Sequence, residues 1–188
     1  MSAVGRFPKR YADTVARLRV PGGFLIVIVF AWLAHPTARS LEIGAPVSVL
    51  GLLLRGWAAG CLAKNQQLAT GGPYAYTRNP LYIGSLLVAA GLVAAARSLA
   101  LAGLTAAVFV LIYLPVMELE EQHLGVLFPE YPAYAARVPM LLPRLRVRAG
   151  KAAKKNAHPF RWSQYLRNEE YQAGAAFLAG MLFLFWKL

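Results

Sequence analysis

Long apolar runs, separated by short polar segments, limit what this chain can fold into. They cover about residues 21–33, 43–63, 81–96, 99–117 and 173–186. A helix of about 20 apolar residues crosses the hydrocarbon core of a bilayer, where backbone polar groups must be paired inside the protein. With 58% hydrophobic and 15% charged residues, the sequence predicts an all-α, polytopic integral membrane helix bundle with about five transmembrane helices.

The connections between the runs give part of the expected topology. Only Arg97 and Ser98 separate the run at 81–96 from the next one, so we expect these two helices to form an antiparallel hairpin. Small residues such as Gly84 and Gly91 would let the first of them pack closely on a neighbour. The run at 173–186 is short, and both a full crossing and a re-entrant path stay open.

Basic residues set the expected orientation in the membrane. The chain has 20 Lys and Arg against 8 Asp and Glu, and the basic residues concentrate in segments 1–20 and 137–167. The positive-inside rule assigns both segments to the cytoplasm, so we expect a multi-pass protein of the inner or plasma membrane if the source is prokaryotic. The 64–80 loop and the 118–144 segment then share that face and would form a cytoplasmic-facing pocket.

The two basic segments each have two possible roles. Residues 1–20 interleave Lys and Arg with apolar residues, as an interfacial helix on an anionic inner leaflet does, and residues 144–161 would bind the same leaflet. Alternatively, the first segment is a solvated tail and the second a topogenic signal only. We expect the lipid bilayer to be the main partner, and no obligate protein partner is evident.

Several classes of site find no support in the sequence. The net charge of +12 is compatible with nucleic-acid binding, but no nucleic-acid motif, Walker loop or dinucleotide-binding GxGxxG is present. A single cysteine, Cys61, excludes an intrachain disulfide. His35, His123 and His158 lack metal-ligand spacing. We therefore expect no metal site and no nucleic-acid partner.

A polar, aromatic loop at residues 71–84, GGPYAYTRNPLYIG, lies directly before the third apolar run. Its Gly-Gly-Pro turn breaks a helix, while Pro80 suits the first turn of a new one. Tyr74, Arg78 and Tyr82 are therefore candidates to line a site at the membrane surface. The alternative is an interfacial aromatic belt with one snorkelling arginine.

Charged residues beside the apolar runs give the remaining candidates. Arg55 is the one formal charge within the run at 43–63, and a charge at membrane depth needs a partner and suggests function. We predict Glu121 as that partner; a snorkelling side chain or a helix-to-helix tie is the alternative. Glu120 and Glu121 occupy adjacent helix positions, so they should face different ways.

Three segments resemble elements of one family of membrane enzymes, and their order along the chain and their approximate spacing agree with that family. The loop GGPYAYTRNPLYIG resembles GPYxxxRHPxYxG, and ELEEQHLGVLFPEYPAYAARVPMLLPR resembles EExxLxxxFGxxYxxYxxRVPxxIP. LLRGWA around Arg55 resembles LRxWA. These are elements of the isoprenylcysteine carboxyl methyltransferase and phospholipid methyltransferase superfamily. The resemblance covers about residues 50–144, the expected cofactor-binding core. From its length we expect the chain to be a single membrane methyltransferase domain, 1–188, in which the basic segment plus C-terminal helix at 145–188 lies outside the resemblance.

The resemblance implies S-adenosylmethionine as cofactor and a lipophilic methyl acceptor. The residues it places at the cofactor are Gln67, Leu68, Ala69, Tyr74, Arg78, Asn79, Tyr82 and Glu120 or Glu121, with Tyr131, Tyr134 and Arg137 as a lid. Arg55 and Glu121 are the expected catalytic pair. Arg55 would hold an anionic acceptor group, which favours carboxylate O-methylation, and Glu121 would position Arg55 or, for an amine acceptor, act as base.

The chain departs from the family pattern at two positions. Asn79 stands where the family usually has His, and Pro129 where it usually has Gly. The interval from Arg55 to Gln67 is also shorter than in the eukaryotic prenylcysteine enzymes, which weakens the inference about the acceptor. Phospholipid or amine N-methylation, a sterol-type reductase and a non-enzymatic lipid-binding protein are the alternatives.

Overall fold

The computed structural model describes residues 8–143 and 159–188, and every regular element in these two ranges is helical. The predicted all-α class is confirmed there. The predicted membrane contact of residues 144–158 lies outside the described residues, as do residues 1–7. The helices, numbered along the chain, are α1 Lys9–Leu33, α2 Ala38–Gly60, α3 Pro80–Ala96, α4 Leu99–Val108, α5 Leu114–Leu127, α6 Tyr131–Ala135, α7 Trp162–Arg167 and α8 Tyr171–Trp186.

Two helices are long and apolar enough to cross a membrane by length and composition. They are Ala38–Gly60 and the continuous helix Leu99–Leu127, which contains α4 and α5. Three shorter apolar helices cover Gly23–Leu33, Pro80–Ala96 and Tyr171–Trp186. A total of about five transmembrane helices, and the orientation in the membrane, stay predictions.

The helix boundaries follow from local signals in the sequence. Thr37 caps α2, because its Oγ1 accepts a hydrogen bond from the Ser40 backbone N–H at 3.2 Å. Pro80 begins α3 after Asn79. Arg97, with a left-handed φ of 53°, ends α3, and the side chain of Ser98 caps α4. The two-residue connection between the third and fourth apolar runs is therefore present as predicted.

Glycines allow α2 and α3 to pack with their backbones in contact. A Cβ atom at Gly51 would lie 2.6 Å from the carbonyl oxygen of Gly84, and one at Gly91 would overlap Ser48 Oγ and the Gly44 carbonyl. Ser48 Oγ donates to the Val88 carbonyl across the same contact, at 2.9 Å. The expectation that Gly84 and Gly91 permit close packing is confirmed, and the neighbour is α2.

Several helix ends meet at the end of the bundle opposite the polar loop. Ala34, Ala95, Leu101 and Leu184 pack in one buried cluster. The Lys187 ammonium donates to the Ala31 carbonyl at 2.7 Å, which satisfies a free carbonyl at the end of α1. The last apolar run is thus one uninterrupted helix, α8, whose C-terminal end lies beside the end of α1.

A π-helical turn, Phe109–Tyr113, joins α4 to α5. Pro115 has no N–H, so the carbonyl of Leu111, four residues earlier, lacks its ordinary helical donor. The Tyr11 hydroxyl of α1 donates to this carbonyl at 2.8 Å. The irregular turn is therefore stabilised by a contact from another helix.

Candidate functional site

The polar loop adopts a fixed conformation beside the end of α2. Gly72 has a left-handed φ of 56°, and a Cβ there would lie 2.9 Å from Cys61 Sγ, so glycine is required at this turn. The Arg78 N–H donates to the Pro139 carbonyl at 2.9 Å, and Thr77 Oγ1 donates to the Met140 carbonyl at 3.1 Å. The chain that follows α6 thereby holds the loop in place.

Glu121 of α5 binds two residues of the polar loop. Arg78 Nη1 donates to Glu121 Oε2 at 2.9 Å, and Asn79 Nδ2 donates to Glu121 Oε1 at 3.3 Å. The Arg78 and Glu121 side chains are each 17% exposed, so their pairing is shielded from water. Arg78 Nε is buried and has no hydrogen-bond partner among the described residues. We call Arg78, Asn79 and Glu121 the carboxylate cluster.

Glu120 binds a different residue of the loop than Glu121 does. Its carboxylate accepts a hydrogen bond from the Tyr82 hydroxyl at 2.8 Å, and the residue is exposed. The prediction that the two adjacent carboxylates face different ways is confirmed. Both nevertheless contact residues of the segment 71–84, so α5 and this loop together form one polar centre.

Buried tyrosines form the wall beside the carboxylate cluster. The Tyr134 hydroxyl donates to the Tyr74 carbonyl at 2.8 Å, while Tyr131 packs on Tyr134 with 6.0 Å between ring centroids. Leu68 is buried in the cluster that holds Tyr131 and Tyr134, and Ala69 packs against the one that holds Tyr74. The Tyr74 hydroxyl oxygen is buried, with no hydrogen-bond partner in the described part of the chain.

Burial keeps these tyrosines protonated. It raises the pKa of Tyr131 to about 12, with a further contribution from the negative charge of Glu121. It also raises the pKa of Tyr74 and of Tyr134 well above the ordinary range of tyrosine. Each hydroxyl therefore retains a proton to donate near neutral pH, and that of Tyr74 has no acceptor within the described residues.

Arg55 does not meet the carboxylate predicted for it. Its Nε and Nη2 atoms pair with the two carboxylate oxygens of Glu170, the second at 3.0 Å. Its Nη1 donates to Ser85 Oγ and, at 3.5 Å, to the Leu81 carbonyl. The prediction of Glu121 as the partner of Arg55 is wrong, because Arg78 and Asn79 already bind Glu121 while the C-terminal segment places Glu170 against Arg55.

Glu170 and Ser85 are the site residues that the sequence reasoning missed. Glu169 and Glu170 are the first acids after Glu130 and directly precede the last apolar run. Arg55 lies near the C-terminal end of α2, and Glu170 at the N-terminal end of α8. If α2 and α8 are taken to be antiparallel, these two ends lie on the same side of the bundle, and Glu170 becomes a candidate partner of Arg55.

An apolar cavity of about 160 Å³ lies next to the polar centre. Helices α3 and α4, the π-helical turn and Ile26 of α1 enclose it. Its lining residues are Ile26, Tyr82, Ser85, Leu86, Ala89, Leu104, Thr105, Val108, Phe109 and Tyr113. Tyr82 belongs to both regions, because its ring lines the cavity while its hydroxyl binds Glu120. Ser85 likewise lines the cavity and binds Arg55.

Most of the predicted site residues come together, and three lie apart, namely Gln67, Arg137 and Arg55, the last of which binds Glu170. Gln67 is exposed on the loop before Leu68. Arg137 is also exposed, and its Nε donates at 3.0 Å to the carbonyl of Ala133, one turn earlier. Their contact with a cofactor stays a prediction. Those that share the polar centre or its wall are Leu68, Ala69, Tyr74, Arg78, Asn79, Tyr82, Glu120, Glu121, Tyr131 and Tyr134.

The polar centre has features that suit S-adenosylmethionine. Tyr74 Oη and Arg78 Nε are buried donors without partners in the described chain, and such groups are costly unless a ligand accepts their hydrogen bonds. The carboxylates of Glu120 and Glu121 each bind a residue of the segment 71–84, and a carboxylate suits an ammonium group. No group of three or more potential metal-ligating side chains occurs within residues 8–143 and 159–188.

Comparison with known proteins relates most of this region to one family. The sequence profile described as phospholipid methyltransferase matches residues 22–130, more than half of the chain. The matched range contains α2 to α5, the polar loop, Glu120 and Glu121, whereas Glu170 lies outside it.

Two relatives carry names that concern metal resistance. The cobalt-zinc-cadmium resistance protein CzcN of Cupriavidus metallidurans is 38% identical over 112 residues, covering 58% of this chain and 50% of that protein. The nickel-cobalt-cadmium resistance protein NccN of Alcaligenes xylosoxydans xylosoxydans is 36% identical over 116 residues, covering 61% and 53%. This chain therefore spans about half the length of these curated relatives. No solved structure matches it significantly.

Proposed function

The chain belongs to the phospholipid methyltransferase family, and from this premise we propose that it transfers a methyl group from S-adenosylmethionine to a lipophilic acceptor at the membrane. The observation that carries the proposal is the junction at Tyr82. A polar centre with unpartnered buried donors meets an apolar cavity there. A methyltransferase for lipids needs both environments side by side.

The cofactor supplies an electrophilic methyl group on a sulfonium, and the residues of the polar centre would hold it. Tyr74 Oη and Arg78 Nε would donate to its acceptor atoms, and Glu121 would accept from its ammonium. The rings of Tyr131 and Tyr134 would cover the site and exclude water. Arg78 and Asn79 keep the Glu121 carboxylate in place, so no reorganisation is needed when the cofactor binds.

The acceptor would lie in the apolar cavity with its reacting group toward Tyr82. Hydroxyl groups of Tyr82, Ser85, Thr105 and Tyr113 provide the polar atoms in a wall that otherwise consists of apolar side chains. Such a wall suits an alkyl or prenyl chain and an uncharged segment near its head. The headgroup would then approach Glu120 through Tyr82.

The pairing of Arg55 changes which acceptor we favour. Carboxylate O-methylation rested on an arginine free to bind an anionic group, but Glu170 takes the two-point face of Arg55. Glu120, by contrast, is an exposed carboxylate bound to a residue of the cavity wall. We therefore propose a lipid amine as acceptor: its nitrogen would form the new N–C bond while the methyl–sulfur bond breaks and the demethylated cofactor leaves as a neutral thioether. Glu120 would accept the proton that the nitrogen loses.

Binding and transfer can be measured on detergent-purified protein. Calorimetry with S-adenosylmethionine and with its demethylated product should give saturable binding. Transfer of a radiolabelled methyl group should be seen with phosphatidylethanolamine and be much weaker with N-acetyl-S-farnesylcysteine, a carboxylate acceptor. Preference for the carboxylate probe would reject the amine proposal, and absence of both cofactor binding and transfer would reject a methyltransferase.

A further inference from the structure

We propose that Glu170 is a positioning residue for methyl transfer, which acts through Arg55 on the cavity wall at Ser85. The inference rests on the proposed function, because the wall matters only if an acceptor occupies the cavity. Glu170 belongs to the C-terminal segment, outside the range matched by the family profile. The role therefore concerns a part of this chain that the family assignment leaves without a function.

A continuous set of contacts joins Glu170 to the cavity. Both oxygens of its carboxylate bind the Arg55 guanidinium, in the two-point geometry typical of strong arginine–carboxylate pairs. Arg55 Nη1 donates to Ser85 Oγ, which in turn donates to the Leu81 carbonyl at 2.9 Å. Ser85 lines the cavity, whereas Arg55 is not among the described lining residues. Arg55 thus reaches the cavity wall through Ser85.

The C-terminal segment is fixed to the end of α2, and this places Glu170. Asn168 Nδ2 donates to the carbonyls of Ala59 and Leu62, at 2.9 and 3.0 Å. The Arg161 N–H donates to the Gly60 carbonyl at 2.9 Å. These bonds join the segment to backbone carbonyls at, and just beyond, the C-terminal end of α2. The segment 161–170 therefore presents Glu170 to α2 from a supported position.

Burial gives the pair an electrostatic consequence for the acceptor. The Glu170 side chain is 7% exposed and that of Arg55 23%. Removing one member of a shielded pair leaves the other charge uncompensated. Without the Glu170 carboxylate, the positive charge of Arg55 would stand one side chain away from the cavity and oppose a cationic lipid amine. Glu170 thus neutralises Arg55 and keeps it bound to Ser85.

Three variants test whether Glu170 positions the cavity wall for methyl transfer or only holds α2 and the C-terminal segment together. Glu170→Gln keeps the side-chain shape and removes its charge. The double variant Arg55→Met with Glu170→Leu removes both charges and retains apolar volume, which for buried pairs is often neutral for stability. Glu169→Gln is the matched control, because Glu169 is the adjacent carboxylate but is exposed and binds Gln172.

The readouts are cofactor affinity, thermal midpoint, and KM and kcat for phosphatidylethanolamine presented in phosphatidylglycerol vesicles. We expect Glu170→Gln to raise KM about tenfold with cofactor affinity unchanged. The double variant should recover the thermal midpoint but keep KM raised by about 2- to 12-fold, because Ser85 still lacks its donor. Glu169→Gln should match the unmodified protein in every readout.

Each contrary result has a distinct meaning. An unchanged KM in Glu170→Gln would reduce Glu170 to a structural link between helices and overturn the inference. A double variant that regains the unmodified KM would show that Ser85 needs no donor from Arg55, and would overturn the positioning of the cavity wall. Faster transfer to N-acetyl-S-farnesylcysteine in Glu170→Gln would make the pair an inhibitory contact and would also overturn it. If the unmodified protein methylated neither probe, the proposed function would fail first, and the inference with it.

Discussion

Replacing Tyr74 by Phe tests whether the polar centre binds a ligand. The change removes one oxygen and leaves the ring, and that oxygen is buried with no hydrogen-bond partner among the described residues. In a ligand-free protein the substitution should therefore remove a cost rather than a contact. If S-adenosylmethionine accepts the hydrogen bond of this hydroxyl, the same substitution should weaken its binding. The two effects have opposite signs.

The magnitudes follow from the burial of Tyr74, which is 7% exposed. A buried polar group without a partner costs about 1–3 kcal/mol, so the ligand-free Tyr74→Phe protein should be more stable by up to that amount. For a chain of this size, 1 kcal/mol corresponds to about 2–4 °C in thermal midpoint. A net hydrogen bond of about 0.5–1.5 kcal/mol predicts a loss of cofactor affinity of about 2- to 12-fold.

Tyr134→Phe provides the matched control on the same wall. Its hydroxyl donates to the Tyr74 carbonyl at 2.8 Å, so its removal should lower the midpoint by an amount similar to that gained in Tyr74→Phe. Midpoints measured without cofactor and calorimetry with S-adenosylmethionine give both quantities for both variants. A Tyr74→Phe protein with a lower midpoint and unchanged cofactor affinity would refute the reasoning.

Three further predictions concern packing, pH and topology. Gly91→Ala should strongly destabilise the fold, because the added Cβ would overlap Ser48 Oγ on α2. Gly103 has open space around it, so Gly103→Ala should stabilise the fold by up to about 1 kcal/mol. The denaturation midpoints of the two variants test this difference. Burial raises the pKa of Tyr131 to about 12 in the folded protein, whereas a tyrosine in the unfolded chain has a pKa of about 10. The protonated Tyr131 side chain should therefore contribute its full stabilisation below about pH 10. That stabilisation should be lost between about pH 10 and 12, because the tyrosine of the unfolded chain ionises at lower pH. A midpoint series in Tyr131→Phe should show a smaller loss in that window, and an equal loss would contradict the assignment. In a chain with Cys61 replaced, a cysteine at Thr37 should label from outside the cell, and one at Gln66, an exposed residue of the 64–80 loop, only from inside; labelling of both from one side would contradict the predicted orientation.

Local physics explains what the sequence predicted well. The hairpin connection at Arg97-Ser98, the start of α3 at Pro80 and the close packing at Gly84 depend on properties of single residues, namely capping, a missing N–H and a missing Cβ. The different directions of Glu120 and Glu121 follow from helix periodicity alone. These features could be predicted because they depend on properties of single residues and of helix periodicity, whereas the helix that packs on Gly84 could not.

The partner of Arg55 could not be assigned in the same way. The pattern showed that a charge in an apolar run needs a partner, and Glu121 was predicted because it follows the fourth apolar run on the same expected face. Several acids lie at the polar end of the bundle, and Arg78 with Asn79 binds Glu121. The competition between these pairs depends on three-dimensional distances, which sequence spacing does not contain.

The π-helical turn and the cavity also combine a feature that the local sequence predicts with one that only the tertiary structure shows. Pro115 predicts that the Leu111 carbonyl lacks a helical donor, but nothing in the sequence identifies Tyr11, about 100 residues earlier, as the replacement. The cavity is lined by Ile26 of α1, by α3, by α4 and by the π-helical turn, so its existence depends on how these elements pack together.

The amino-acid sequence by itself determined the helical class, the apolar runs, the turns that end them and the chemical character of the polar loop, because each depends on residues close together in the chain. Only the tertiary structure decided which carboxylate faces which arginine, that Ser85 connects Arg55 to the cavity, and that Tyr74 Oη and Arg78 Nε are left without partners in the described residues. The physical reason is that pairing and burial depend on how α2, α3, α5 and the C-terminal segment pack together. Once Arg78 and Asn79 bind Glu121, for example, Arg55 binds Glu170 instead.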